Sequence, residues 1–201
     1  MPDEVDELDE LDELDEMTTA TEVADSRTAV KTGGAFRLHW RGKEGTLSLR
    51  RPMNVRRITK ADFDRVAEVI DHWWGGPIGT FAHPIFFYEL GDQALVVEQG
   101  SELIGFLLGF TVPASSGPRM GYVHLVGIHP DHRRRGVGRL LYDRFAADCR
   151  EAGCVRMKAI TTPGNEGSIR FHVALGWNVQ EVEDYAGPGR RRIVFTKPLV
   201  D

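Results

Sequence analysis

Cysteine is scarce in this chain: Cys149 and Cys154 are the only two among 201 residues. Their C-x4-C spacing lacks the second pair of cysteines or histidines that a structural zinc site requires, so no metal is expected and both are read as reduced thiols packed in or beside a helix. Long apolar runs are missing too. Leu103 to Phe110 and Tyr122 to Ile128 are the longest, well short of the roughly 18 to 20 residues of a bilayer span, which excludes a transmembrane helix. The first residues are acidic where a secretory signal would be basic and then apolar, so a cytoplasmic address is expected. Basic residues do not alternate with aromatics along any stretch, which argues against nucleic acid as a partner. What is present is 41% hydrophobic, 9% aromatic and 27% charged residues, the proportions of a soluble globular chain long enough for one domain with an appendage.

The formal charge of −5 conceals an asymmetry. Residues 3 to 16 hold ten acids and no base; without them 20 acids face 25 bases, a balance of +5. So dense a like-charged tract repels itself and buries little, so it is expected to be a disordered tail. We divide the chain at Arg50-Arg51-Pro52-Met53. Residues 1–52 form an acidic, largely disordered extension, and Thr18 to Gly34 reads as linker. Phe36 to Trp40 and Thr46 to Leu49 permit a short hairpin across a Gly-Lys-Glu-Gly turn. Residues 53–201 form the domain.

Within the domain, Asn54 to Ile58 alternates as a strand. Thr59 and Asp62 make a capping-box-like pair ahead of Phe63, Val66, Val69 and Ile70 at helical spacing. Trp73-Trp74-Gly-Gly and a Pro/Gly loop follow, with a short second helix at Ile85 to Leu90. Strands are read at Ala94 to Glu98, Leu103 to Phe110 and Gly121 to Ile128, a helix at Val137 to Ala152, a strand at Val155 to Thr161, a helix at Gly167 to Leu175, and strands at Trp177 to Glu181 and Arg192 to Thr196. The order β-α-α-β-β-β-α-β-α-β-β defines a mixed α/β sheet.

One stretch carries chemistry: His129-Pro-Asp-His-Arg-Arg-Arg-Gly-Val-Gly-Arg-Leu-Leu-Tyr142, which joins the fourth strand of the domain to a helix. Gly136 and Gly138 allow the chain to turn into that helix with its first N–H groups free. Those donors, the helix dipole and Arg133, Arg134, Arg135 and Arg139 together suit a pyrophosphate. A P-loop is excluded because the lysine is missing, and a dinucleotide fingerprint because the third glycine is missing.

Arg133-Arg134-Arg135-Gly136-Val137-Gly138 matches [Q/R]-x-x-G-x-[G/A], the acetyl-CoA signature of the GNAT superfamily of N-acetyltransferases, and Val126-Gly127-Ile128-His129-Pro130 resembles the strand end before it. About 30 residues on, Asn165 to Trp177 is similar to the second family motif, N-x-x-A-x-x-x-Y-x-x-x-G-F. The resemblance covers residues 53–201. It implies a GNAT-like mixed, mostly antiparallel sheet of about six to seven strands, splayed between its fourth and fifth strands and flanked by about four helices. It further implies acetyl-CoA as cosubstrate, with pantetheine pairing to the backbone at Val126, Gly127 and Ile128. The pyrophosphate would rest on residues 134 to 139, and Asn165, Ser168, Phe171 and His172 would lie along the arm and thioester. A homodimer accords with such folds, although no residue assigns its surface.

Acetyl transfer to an amine needs a base for the amine proton and benefits from a donor for the departing thiolate. Histidine, with a pKa near 6.5, can serve as base at neutral pH. His124 is the candidate, sharing a strand face with Tyr122 and Val126 by the period-two rule. The resemblance implies an oxyanion donor at the Gly127 or Ile128 N–H, freed by a strand bulge. His172 stands where the second motif often has a tyrosine acid, so it is the candidate proton donor or a cofactor contact. His129 and His132 read as solvated or phosphate-side residues. Trp73, Trp74, Tyr122 and Tyr185 are candidates for the acceptor site, and Glu98 and Asp184 remain open as groups that meet the amine. The leading reading is transfer to a primary amine of a small or amino-acid-like molecule. Alternatives are a protein lysine or N-terminus as acceptor, and an acyl-CoA sensor without turnover.

Overall fold

A computed structural model describes residues 30–32, 35–40, 43–47, 51–113 and 117–199, with side chains from residue 51 onward. The acidic tract at 3 to 16 lies outside the described residues. The chain divides into two compact units, 1–50 and 51–201. In the first, β1 (Val30–Thr32), β2 (Ala35–Trp40) and β3 (Lys43–Leu47) form an antiparallel sheet in the order β1-β2-β3. Two expectations change here. Residues 30–32 are strand rather than linker, and Trp40 pairs with Lys43, so Lys43 to Gly45, read as part of the turn, belong to the strand.

The second unit runs β4 (Met53–Arg57), α1 (Asp62–Trp74), α2 (Ile85–Tyr88), β5 (Leu95–Gln99), β6 (Glu102–Val112), β7 (Met120–Ile128), α3 (Val137–Glu151), β8 (Arg156–Thr161), α4 (Glu166–Ala174), β9 (Asn178–Val182) and β10 (Arg192–Pro198). Its seven strands lie in the order β4-β5-β6-β7-β8-β10-β9. β7 and β8 are parallel and every other neighbouring pair is antiparallel.

Period-two alternation sends the two faces of the sheet into two cores. On one face Leu107, Val123, Met157 and Phe195 pack against Val137, Leu141 and Phe145 of α3. On the other, Val96, Phe106 and Leu108 pack against Val66, Ile70 and Trp73 of α1 and Phe86 and Phe87 of α2. Each large side chain fully buried this way contributes about 1.5–3 kcal/mol. The second core stops at β7: none of its described members comes from β8, β9 or β10. The sheet beyond β7 therefore lies outside the core that α1 and α2 build.

The start of α1 departs from the capping-box expectation. Asp62 accepts the Thr59 N–H at 2.8 Å as expected, but the Thr59 hydroxyl donates to the same carboxylate at 2.8 Å and caps no backbone N–H. Asp62 is 1% exposed and is also bonded by Arg56 at 2.8 and 2.9 Å and by Arg65 at 3.0 Å. Burial by itself would raise this carboxyl, yet hydrogen bonds from Arg56 and Thr59 prevail and hold it far below the usual range.

Candidate active site

The site begins where β7 and β8 part. Their parallel pairing runs from Met120 opposite Arg156 to Val123 opposite Ala159 and extends no further. His129 N–H donates to Ile104 O of the other neighbouring segment at 3.0 Å. Because antiparallel backbone groups alternate in direction, Gly127 and Leu125 also face β6, while the groups of Val126 and Ile128 face the opening. Of the backbone groups expected there, those of Val126 and Ile128 face away from β6 and that of Gly127 faces β6. The Gly127 N–H is thus removed as an oxyanion donor.

At the end of this opening the chain turns into α3. Arg134 (φ 56°) and Gly136 (φ 78°) adopt the left-handed backbone that the turn requires, and no side chain caps the helix, so its first N–H groups are left for a ligand. Gly138 is needed for space: a Cβ there would lie 2.9 Å from the Phe171 ring. Phe171 of α4 thus closes one side of the turn, packed edge-on to Tyr142. Arg134, Arg135 and Arg139 are exposed at this turn, and among the described residues none makes an ion pair. Arg133 differs. Its guanidinium donates to Trp73 O and, at 3.4 Å, to Ile128 O, so it ties the turn to the end of α1 rather than pointing with the other three. Asn165 accepts the Ser168 N–H at 3.1 Å as the cap of α4.

His124 occupies a bulge. Leu108 pairs with Leu125 and Gly109 with Val123, leaving His124 as the extra residue on β7. It lies on the α1/α2 face with Tyr122, which packs on Phe110. Val126, expected on that same face, packs instead with the α3 core, because the bulge shifts the alternation by one. The imidazole stacks on Phe86, with centroids 4.8 Å apart and planes 15° apart, and its Nε2 lies 3.1 Å from Phe81 O. A carbonyl only accepts, so Nε2 carries the proton and the lone pair sits on Nδ1, for which the described residues offer no partner. Burial lowers the His124 pKa, opposed by the bond to Phe81 O, so the neutral, basic form prevails at neutral pH.

Across β7, Tyr122 pairs with Lys158 of β8, whose Nζ sits 4.9 Å above the Tyr185 ring. Burial, and then the nearby Tyr185, push the Tyr122 phenol up to about 12. Of the two tryptophans, Trp74 is 39% exposed, whereas Trp73 is buried, stacked on Phe106 and edge-on to His129. Trp73 is therefore core, which corrects its place among acceptor residues. Phe81, Phe86 and Lys158 were missed in the sequence. The first two follow a Pro/Gly loop whose path no periodicity reveals. Lys158 carried a usable signal, since it alternates with the apolar Met157 and Ala159.

His172 is a larger correction. It is 5% exposed, stacked on Phe195 at 3.9 Å, and both ring nitrogens are taken. Nδ1 lies 2.7 Å from Ser168 O and must carry the proton, so Nε2 accepts the Tyr142 hydroxyl at 2.9 Å. Burial drives its pKa down to about 4, with the Ser168 carbonyl acting weakly in the other sense. At neutral pH it is a neutral core residue with no proton to give a thiolate, and the structure does not bring it together with His124. Glu98 is held by Arg56 and Arg65 and is not free to meet an amine, whereas exposed Asp184 accepts the Gly189 N–H through Oδ1 at 2.6 Å. His129 and His132 both approach the Glu102 carboxylate, at 3.9 and 3.8 Å. His129 Nδ1 accepts the Asp131 N–H at 3.1 Å, so its Nε2 bears the proton and faces Glu102 as a donor.

A parallel pair that parts after Val123 and an uncapped helix start beside three exposed arginines suit an enzyme that handles a phosphate-bearing carrier. The comparisons name that class. The model of the Acetyltransferase (GNAT) family matches residues 63–177, and the chain belongs to that family. It is an acyltransferase with acetyl-CoA as cosubstrate. Among curated relatives, it is 28% identical over 138 residues to the L-amino acid N-acyltransferase MnaT of Escherichia coli K12, covering 63% of this chain and 80% of that one. It is 29% identical over 138 residues to the L-methionine sulfoximine/L-methionine sulfone acetyltransferase of Salmonella typhimurium, covering 63% and 81%. In fold it is similar to yncA of Salmonella typhimurium, solved with its cofactor acetyl-CoA (TM-score 0.57, 23% identity, 74% of this chain and 95% of that one). It is also similar to a chain of the NatC complex bound to Gag peptide and CoA (TM-score 0.62, 13% identity, 74% and 99%).

Proposed function

We propose that this enzyme acetylates the primary amine of a small, amino-acid-like acceptor by direct transfer, with His124 as the base. The observation that carries this reading is the bulge at His124, a half-buried neutral histidine whose Nδ1 has no partner among the described residues, on the strand that parts from β8. The two relatives named for amino-acid acceptors support the acceptor class.

When bound, acetyl-CoA supplies an acetyl thioester: the acceptor nitrogen bonds to the acetyl carbon as the C–S bond breaks, the amine proton passes to a base, and CoA departs as a thiol. The residues present fit that cosubstrate. The free α3 N-terminus with Arg134, Arg135 and Arg139 suits the pyrophosphate, Gly138 lets Phe171 close against the turn, and Val126 and Ile128 offer backbone groups to the pantetheine amides. Val126 N–H is the first donor past the bulge that faces the opening, and it takes the oxyanion role. An alkylammonium with a pKa of roughly 10 must lose a proton before attack, and Nδ1 of His124 accepts it. Tyr122, still protonated at neutral pH, can hydrogen-bond the acceptor or the departing sulfur.

The test is titration of the full chain with acetyl-CoA by calorimetry, followed by thiol release against a panel of L-amino acids, simple amines and a peptide with a free N-terminus. Turnover with amino acids is expected. Turnover with the peptide alone, or binding without any turnover, would overturn the assignment.

A further inference from the structure

The Lys158 ammonium is unexplained by the fold. Its strand neighbours Met157 and Ala159 point into the α3 core, so Lys158 projects to the opposite face, that of Tyr122 and His124. It is half-buried, and among the described residues no carboxylate lies within ion-pairing distance of it. Asp184 Oδ1 accepts the Gly189 N–H, and Glu181 pairs with Arg191 at 3.1 Å. Lys158 Nζ lies over the face of the Tyr185 ring, a weak partner for a half-desolvated cation. A half-buried cation held in this way on a sheet face is matched by an anionic group on what approaches it.

The position says which anion. Lys158 is the cross-strand partner of Tyr122, and His124 lies two residues further along β7. That is a separation of about 4.8 Å across the strands and about 7 Å along them, within the reach of an extended lysine side chain. An α-amino acid carries its carboxylate two bonds from its nitrogen. With the amine at His124 Nδ1, a carboxylate directed toward β8 would meet Lys158, and the Tyr122 and Tyr185 hydroxyls could add hydrogen bonds.

We propose that Lys158 is the carboxylate anchor of the acceptor site and makes the enzyme select free α-amino acids over the same amines lacking the carboxylate. This rests on the acceptor reading above. The test compares kcat/KM of the full-length enzyme for L-methionine sulfone and its primary amide, and for other L-amino acids paired with their amides, in wild type, Lys158→Met, Lys158→Gln and Lys158→Arg. The readout is the acid-over-amide ratio of each variant relative to that of wild type, in which the different basicities of the two amines cancel. Loss of a charge-assisted bond predicts a ratio reduced about 10- to 100-fold in Lys158→Met and Lys158→Gln, with part restored by Lys158→Arg. A ratio within about twofold of wild type overturns the anchor alone, including the case where both acceptors fall together because Lys158 only steadies the Tyr185 loop. A wild-type enzyme that binds acetyl-CoA yet acetylates neither member of any pair refutes the acceptor reading itself.

Discussion

Acidification should unmask His172. In the native state its pKa is about 4 because the ring is buried between Phe195, Trp177 and Tyr142 with both nitrogens bonded as a neutral imidazole. In the unfolded chain it is near 6.5. Between those values the unfolded state binds more protons, so stability rises with pH across that window. The stability that neutral His172 supplies is full above about pH 6.5 and is lost as pH falls toward 4. From pH 7 to pH 5 the loss attributable to this residue is about 2 kcal/mol. His172→Phe removes the titration but strands the Tyr142 hydroxyl, which costs about 1–3 kcal/mol at every pH. The variant should therefore be less stable than wild type at pH 7, with a gap that narrows by about 2 kcal/mol at pH 5. Urea unfolding followed by tryptophan fluorescence reads this directly, since Trp177 adjoins the ring at 5.2 Å. A gap equal at the two pH values refutes the buried neutral histidine, and with it the argument that His172 has no proton to donate in catalysis.

His124→Ala should lower kcat about 10²- to 10⁴-fold and abolish the acid limb of the rate profile. In wild type that limb should fall below pH 6.5, because burial lowers the His124 pKa; a limb above 6.5 or full activity in the variant would remove His124 as base. His172→Phe should keep the wild-type pH profile of turnover, in contrast to its altered stability profile. Gly138→Ala should raise KM for acetyl-CoA with a smaller change in kcat, as its Cβ meets Phe171 at 2.9 Å. Arg56→Met should destabilise by about 3 kcal/mol, measured by denaturant midpoint, because Asp62 is then buried with only Arg65 and Thr59.

Element order was legible in the sequence because it depends on local periodicity. The helix at Val137 to Glu151 and the strands from Leu95 to Ile128 announce themselves by spacing. The second motif was legible as a pattern, but the role of His172 was not. Its surroundings come from Tyr142, thirty residues earlier, and from Phe195, on the final strand, so only the packed fold reveals that a residue suited to proton transfer is sealed in a core. The insertion of β10 between β8 and β9 was hidden for a similar reason, since strand order is decided by pairing between elements rather than within them.

The bulge at His124 shows the limit most sharply. Tyr122-Val123-His124-Leu125-Val126 reads as an unbroken alternation, and counted back from Val126 and Ile128 it puts His124 on the α3 face. Counted forward from Gly121 and Val123, which also face α3, it puts His124 on the α1/α2 face. Both counts cannot hold in a regular strand, and one extra residue reconciles them. The pairings of Leu108 with Leu125 and of Gly109 with Val123 locate it at His124 itself. Two consequences share that single irregularity: an imidazole beside Phe86 on the acceptor side, and a Val126 N–H turned to the β7/β8 opening just past it. The base and the oxyanion donor of the proposed reaction are thus set by one register shift, and a residue deletion that regularised β7 would displace both at once.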